Sequence, residues 1–458
     1  MRRNGKELIM DVMRHKRVTQ IPWVPFAGVH AGFLKGFSAE EVLKDSDKLY
    51  AALLEVNEKY MPDGQPVCFD LQLEAEILGC DLKWASNVPP SVISHPLQMI
   101  EEIPKRKIAR SDGRIPIVIE ACRRLKKEVG AYTALYGLYC GPFTLALHLR
   151  GSKLFMDMIM NPQYVTELMW YCTDIAKQMA TIYIDEGCDV IAPVDPLISQ
   201  ISPKHFEEFC AKPYRAIFDD IRSSNRFSAF FVCGNAIKNI EVMCQTGPDS
   251  ISVDENLDLV VAKEITDRYN VVIGGNIPLT TIMLYGNQQD NMKYVVDMIE
   301  RIDTHHNYIL SPGCDMPYNV PIANGMAAMQ ATHDPETARE LVANYENIDV
   351  TEGIEVELPE YAHLDNPLIE LFTLDPVACA ACTYMLAVVE EAKKELGDTE
   401  VEWGDYRYNR LEDIARMRKL GVKNLPSIYI NGALAYDSLI PGKQELVRRI
   451  LDQGISHG

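Results

Sequence analysis

Four cysteines stand where sulfur can do chemistry. Cys233 closes the apolar run "FSAFFV" and is followed by Gly-Asn and a helix start; Cys314 follows the Pro-Gly turn of "ILSPGCDMPYNVPIANGMAAMQA". Cys379 and Cys382 form a Cys-x-x-Cys pair directly after the apolar run "LIELFT" and ahead of a helical stretch. A cysteine at such a turn can ligate a metal, exchange disulfides or simply pack. Phe231, two residues before Cys233, can pack but can neither ligate a metal nor exchange disulfides. Around the sulfurs stand other reactive types. The first polar or sulfur residue after each of eight apolar runs is His30, Asp70, Tyr139 or Cys140, Asp195, Cys233, Asp254, Asn276 and Cys314. Asn276 lies in "VIGGNIP", whose two glycines let the backbone approach a ligand closely.

The elements that must position this set are legible as an alternation. The runs "IPWVPFAG", "PVCFDL", "YTALYGL", "CDVIAPV", "FSAFFV", "DSISVD", "NVVIGGN" and "NYILSP" are each followed by a helical stretch such as "SAEEVLKDSDKLYAALLEVNEKY". Eight strands alternating with helices predict a (β/α)8 TIM barrel over residues 1–345, with catalytic groups at the C-terminal ends of the strands. Residues 72–131 between the second and third runs predict an insertion or extra strands. Residues 346–366, "ENIDVTEGIEVELPEYAHLDN", are acidic, lack helical periodicity and contain Pro359, as a linker would. Beyond it, residues 367–458 read strand, helix, strand, helix, strand, strand, helix, ending in two adjacent strands that a barrel repeat lacks. This predicts a separate domain of ordinary size.

Composition narrows the function. Lys and Arg number 45 against 65 Asp and Glu, a net charge of −20, which would repel a phosphate backbone and argues against nucleic acid. No apolar run is long enough to span a bilayer, and the start "MRRNGKELIMDVMRHKR" reads as an amphipathic helix rather than a signal peptide. A cytoplasmic protein is expected, in which most of the twelve cysteines are small core hydrophobes: Cys68, Cys80, Cys122, Cys140, Cys172, Cys188, Cys210 and Cys244.

The ordered succession "LQLEAEILGCDLKW", "CGPFTLA", "VDPLISQISPKHFEEFCAKPYRAIF", "VCGN", "SVDENLDL", "IGGNIP" and "SPGCDMPYNVPIANGMAAM" resembles the uroporphyrinogen decarboxylase superfamily over about residues 5–340. Within it the resemblance is to the corrinoid-dependent methyltransferase branch, of the methylcobalamin:coenzyme M type. The decarboxylases hold their many-carboxylate substrate with arginines after the first strand. That position here reads "FAGVHAGFLKG", without arginine. The resemblance implies Zn2+ on Cys233 and Cys314, but the thiol-methylating members supply a histidine where this chain has Phe231. His30 is then the candidate third ligand, with Glu74, Glu76, His95 and Asp195 as alternatives. His30, Asp70, Asp195 and Asn276 are candidate catalytic residues; His30 also reads as a hydrogen-bonding residue of the mouth, and Asp195 as a helix cap. Zinc would deprotonate a thiol acceptor or stabilise the leaving alkoxide of a methyl ether. The corrinoid should arrive on a partner protein, because "DTHHNY" fails the Asp-x-His-x-x-Gly cobalt-ligating pattern at its last position. The mouth is expected to be open to that partner.

In residues 367–458, Cys379-Ala-Ala-Cys382 at a helix N-terminus, Pro426 in "LPSIYING" and the order of elements resemble the thioredoxin fold. That resemblance implies an exposed nucleophile at Cys379, a resolving thiol at Cys382 and a facing cis-proline at Pro426. A docking module without redox chemistry is the alternative. The sequence therefore predicts a methyltransferase moving a methyl group between a corrinoid protein and a small-molecule donor or thiol acceptor, with a thiol-redox accessory domain. A decarboxylase of a non-tetrapyrrole acid, or a noncatalytic binding or redox-partner protein, are the competing readings.

Overall fold

The computed structural model describes residues 4–374, 379–397 and 399–454. Residues 1–3 of the expected first helix and 455–458 of the expected second domain lie outside the described residues. Seven parallel strands pair in the order Gly64–Pro66, Ala134–Cys140, Val190–Val194, Phe227–Val232, Ser250–Val253, Val272–Ile277 and Tyr308–Pro312. The first predicted run closes this sheet into a barrel while making only a single bridge, Trp23 with Leu310. On one side Val24 N donates to Leu310 O (3.0 Å) and Leu310 N to Pro22 O (2.9 Å). On the other side Asp63 N donates to Trp23 O (2.9 Å). Pro22 and Pro25 flank the bridge and have no N–H to extend a ladder, which keeps this strand vestigial.

Side chains alternate along each strand, as a half-turn period demands. Val190, Ala192 and Val194 point into the barrel with Ala229 and Phe231, where they meet Phe26, Phe69 and Tyr136 in one buried cluster. The opposite faces pack under the surrounding helices. The predicted helix over residues 38–60 is two: Ala39–Lys44, entered by a Ser38/Glu41 capping box, and Ser46–Tyr60. They break at Asp45, whose extended backbone lets its carboxylate cap the second. The insertion carries a small antiparallel pair, Leu82–Lys83 with Ser91–Val92. All eight cysteines expected in the core are buried.

Residues 346–366 contain no helix or strand beyond one short 3-10 turn, Tyr361–His363. They lie along the helix Leu411–Leu420, whose Arg418 pairs with Asp349 and whose Arg416 and Lys419 donate to the carbonyls of Glu357 and Val356. The remaining elements form a four-stranded sheet in the order Glu402–Arg407, Leu368–Thr373, Ser427–Ile430, Ala433–Asp437. The first pair is parallel and the others antiparallel. Helices Ala380–Leu396 and Lys443–Gly454 pack together beside it. Among the described residues, no helix is long and apolar enough to cross a membrane.

Candidate active site at the covered barrel mouth

Cys233 and Cys314 follow the strands Phe227–Val232 and Tyr308–Pro312 at the C-terminal end of the barrel, and their sulfurs are 2.7 Å apart. Gly234 makes this possible. Its φ of +80° suits glycine, and a Cβ there would press on Ser199 Oγ at 2.7 Å. The Gly234 N–H donates to the Asp254 carboxylate, pinning the turn. Phe231 shares the inward face with Cys233 two residues on. Its ring packs against Phe26 (centroids 4.7 Å) and Phe69 (5.7 Å), forming an apolar floor beneath the two sulfurs. The adjoining Cys314 sulfur and burial hold the Cys233 thiol well above its ordinary pKa.

Two buried carboxyl groups, Asp315 and Glu255, line the cavity with the pair, and a third, Glu74, lies outside its lining. Asp315 accepts from Gly28 N through Oδ1 (2.7 Å), while its Oδ2 has no hydrogen-bond partner among the described residues. Glu255 accepts from Leu279 N through Oε1 (3.2 Å), and its Oε2 is likewise unpartnered. Glu74 accepts from Cys140 N (3.1 Å) and leaves Oε2 free. Burial pushes all three up to about 8, so near neutrality each is largely a protonated acid that can donate a hydrogen bond. Glu255 and Asp315 line the cavity with Gln72, Gln200 and His148, each of which also has a buried unpartnered atom. The sequence reading passed over Glu255 and Asp315. Their signal was adjacency, since each directly follows a residue singled out at a strand end, Asp254 and Cys314.

Other predicted site residues are occupied elsewhere. His30 is fully buried, with Nδ1 donating to Tyr318 O (2.8 Å) and Nε2 accepting from Tyr60 Oη (2.7 Å). Burial lowers its pKa to about 4. With both ring nitrogens engaged it is a neutral hydrogen-bonding residue and is not placed as a ligand. Asp70 and Glu76 are ion-paired to the same side chain, Arg114. Asp195 accepts from Phe143 N (2.9 Å), Thr144 N (2.9 Å), Thr144 Oγ1 (2.5 Å) and Tyr214 Oη, capping the helix Pro142–Arg150. Burial pushes it up to about 6. Asn276 donates to Asp254 O and Leu257 O and accepts from Tyr294 Oη, which ties adjacent strand ends together. His95 donates to His148 O (2.8 Å) away from the sulfurs.

These placements bear on the expected zinc. Two thiolates on one tetrahedral zinc, with Zn–S bonds of about 2.3 Å, lie about 3.7 Å apart, whereas Cys233 and Cys314 are at 2.7 Å. Among the described residues, no group of three or more His, Cys, Asp or Glu is arranged to hold a metal ion. The described residues gather two sulfur ligands here without a third and fourth for a tetrahedral zinc site.

The C-terminal unit covers this mouth, which differs from the open mouth expected. Cys379, Leu425 and Pro426 line the same cavity, of about 270 Å3, as Cys233 and Cys314. Cys379 caps the helix Ala380–Leu396, its sulfur accepting from Cys382 N (3.3 Å), and the Leu425–Pro426 bond is cis. Tyr384 is the wedge between the units. Its hydroxyl meets His148 Nδ1 at 3.2 Å and its ring stacks on His95 at 5.9 Å. Asn235 Nδ2 to Asn424 Oδ1 (3.1 Å) and Tyr285 Oη to Asn409 O (2.6 Å) complete the seat. These contacts join residues far apart along the chain, which local patterning does not encode.

A parallel barrel with its reactive groups at the C-terminal strand ends, capped by an appended α/β unit, is the architecture that emerges. The uroporphyrinogen decarboxylase (URO-D) profile matches residues 4–335, and the chain belongs to this family. Its relatives include a methylcobamide:CoM methyltransferase, MtbA, of Methanosarcina acetivorans. The two are 29% identical over 327 residues, 70% of this chain and 94% of that protein. A uroporphyrinogen decarboxylase of Carboxydothermus hydrogenoformans is 21% identical over 305 residues, 65% of this chain and 86% of that one. Among solved structures, a methyltransferase from Methanosarcina mazei has the same fold, with a TM-score of 0.65 and 22% identity. It covers 72% of this chain and 98% of its own.

Proposed function

We propose that the chain is a corrinoid-dependent methyltransferase, moving a methyl group between a corrinoid carried by a partner protein and a small molecule without net negative charge. The observation that carries this reading is the make-up of the cavity. It presents three cysteine sulfurs and two unpartnered acid groups, and no Lys or Arg among its described lining residues. A tetrapyrrole polycarboxylate would find no counter-charge there, whereas a neutral or cationic thiol, amine or ether would find hydrogen-bond donors. Asp315 and Glu255, protonated near neutral pH, would orient its heteroatom. Phe231 and Phe69 would keep water from the reacting centre.

The separate corrinoid protein is supported by the failed cobalt motif. Tyr308, where that pattern requires glycine, is a buried barrel-strand residue, and Asp303 is ion-paired to Arg17. Pockets for drug-sized ligands run to about 300–1,000 Å3, so a corrin macrocycle is too large for the covered cavity. Methyl transfer would then require the C-terminal unit to swing aside on residues 346–366. The expected zinc would need two more ligands than the mouth gathers, and no step is routed through it. The C-terminal unit reads as a thioredoxin-like thiol-redox domain, supported by its sheet order, by Cys379 as helix cap and by Pro426 facing the cysteine-lined cavity.

The test is methylcobalamin with a panel of neutral and cationic thiols, following loss of the cobalt–carbon absorbance. Acceptor-dependent demethylation, diminished in Asp315→Ala, is expected. Absence of demethylation together with CO2 release from an organic acid would overturn the reading in favour of a decarboxylase.

A further inference from the structure

Three of the twelve cysteines are not fully buried, Cys233, Cys314 and Cys379, and all three line one cavity. The fourth member, Cys382, is buried directly behind Cys379, where its sulfur accepts from Leu374 N at 3.4 Å. The remaining eight are sealed in the core, including Cys122 and Cys188, whose sulfurs are 3.7 Å apart. The barrel pair and Cys379, with Cys382 behind it, therefore share one cavity. The barrel pair is close enough to join with a small side-chain movement, since bridged cysteines need sulfurs about 2.05 Å apart and these stand at 2.7 Å. Phe231, two residues before Cys233, offers no metal ligand beside the pair.

We propose that Cys233 and Cys314 form a reversible disulfide, and that Cys379 and Cys382 exchange disulfides with it inside the same chain. The proposal rests on the redox reading of the C-terminal unit, not on methyl transfer. The Cys379 thiol gives up its proton and, as the thiolate, attacks one sulfur of the Cys233–Cys314 disulfide. That S–S bond breaks, the other barrel sulfur leaves as a thiolate and takes up a proton, and a mixed disulfide to Cys379 forms. Cys382 loses its proton and attacks the Cys379 sulfur, freeing the second barrel thiol. Two electrons and two protons pass from the C-terminal pair to the barrel pair, with no external oxidant or reductant in the exchange itself. The reverse direction balances in the same way. The same contact explains why the unit is seated on the mouth: the docked arrangement is the exchange complex.

Trapping tests this. The full-length Cys382→Ser variant, which cannot resolve, is oxidised at low protein concentration with diamide, alkylated and digested without reduction. The expected product is a monomeric protein yielding a peptide that links Cys379 to Cys233 or Cys314. A kinetic arm uses oxidised wild type and oxidised Cys379→Ser with limiting dithiothreitol. Tethering supplies an effective thiol concentration up to the millimolar range, so the barrel disulfide should be reduced about tenfold or more faster in wild type. Thermal melts of both variants establish that they are folded. A Cys382→Ser protein that yields only the Cys233–Cys314 disulfide, or equal reduction rates, overturns the proposal. In that event a Cys379–Cys382 disulfide in oxidised wild type leaves the redox reading of the unit standing, and its absence removes both. Methylcobalamin turnover is measured separately and is decided by neither arm.

Discussion

Two sets of acids occupy the same end of the barrel and have opposite fates. Asp195 makes four hydrogen bonds, and Asp70 is locked onto Arg114 while also accepting from Gln72 N (2.9 Å). Asp315 and Glu255 are equally buried by their neighbours but each keeps one oxygen without a partner, near the cavity. The first set holds strand ends in place. The second retains hydrogen-bonding capacity that a ligand could satisfy. An acid at a strand end is therefore not yet a site residue; spare capacity marks the difference.

Asp195→Ala breaks the comparison on its structural side and should have the largest effect. It strands two backbone N–H groups, the Thr144 hydroxyl and the Tyr214 hydroxyl in the interior. A buried group left unsatisfied costs about 1–3 kcal/mol. A loss of about 3 kcal/mol or more in urea unfolding is expected. A loss below about 1 kcal/mol, within the range of an ordinary surface change, would place Asp195 with the ligand-facing acids instead.

The ligand-facing side is sharpened by pH. Asp315 has its pKa raised to about 8 by burial, against about 3.9 in an unfolded chain. Between those values the folded state keeps a proton that the unfolded state has released, so stability falls as pH rises and is lost through about 8. His30 runs the other way: its pKa is lowered to about 4, so its contribution disappears as pH falls from about 6.5. The window from about 6.5 to about 8 isolates the acids. Urea titrations there should give a falling stability for wild type, with a slope bounded at about 1.4 kcal/mol per pH unit for each group. Asp315→Asn should make it shallower. An unchanged slope would mean that Asp315 is charged in the folded protein and already paired.

The barrel was legible because eight apolar runs alternate with helical stretches, a local pattern that the fold obeys. The Cys233 and Cys314 positions were legible for the same reason: a sulfur one or two residues past a buried strand must emerge at the mouth. What failed to appear was partnership. Nothing near His30 in the sequence announces Tyr60 and Tyr318, which consume its nitrogens from other elements. Arg114 lies far along the chain from Asp70 and Glu76 and still removes both from candidacy. The placement of the C-terminal unit was invisible for a related reason, because a two-unit interface is set by shape and scattered polar pairs rather than by periodicity.

That interface offers the smallest expected effect and the most direct view of the covered mouth. Tyr384 is buried between the units, stacked on His95 and hydrogen-bonded to His148 Nδ1 at 3.2 Å. Burial lowers the His148 pKa to about 3, so the ring is neutral across ordinary pH and its Nδ1 accepts from the tyrosine hydroxyl. Tyr384→Phe keeps the stacked ring and deletes only that bond, whose net worth is about 1 kcal/mol. If the seated and displaced arrangements are in equilibrium, a change of that size shifts their ratio about fivefold. Alkylation of Cys233 and Cys314 by a bulky maleimide, which needs the displaced arrangement, should accelerate by about the same factor, with global stability little altered. Tyr384→Ala, which also removes the stacked ring, should accelerate it further. Labelling equally fast in wild type and both variants would mean that the mouth is reached without moving the C-terminal unit, and a bulky partner would then need no displacement to approach the sulfurs.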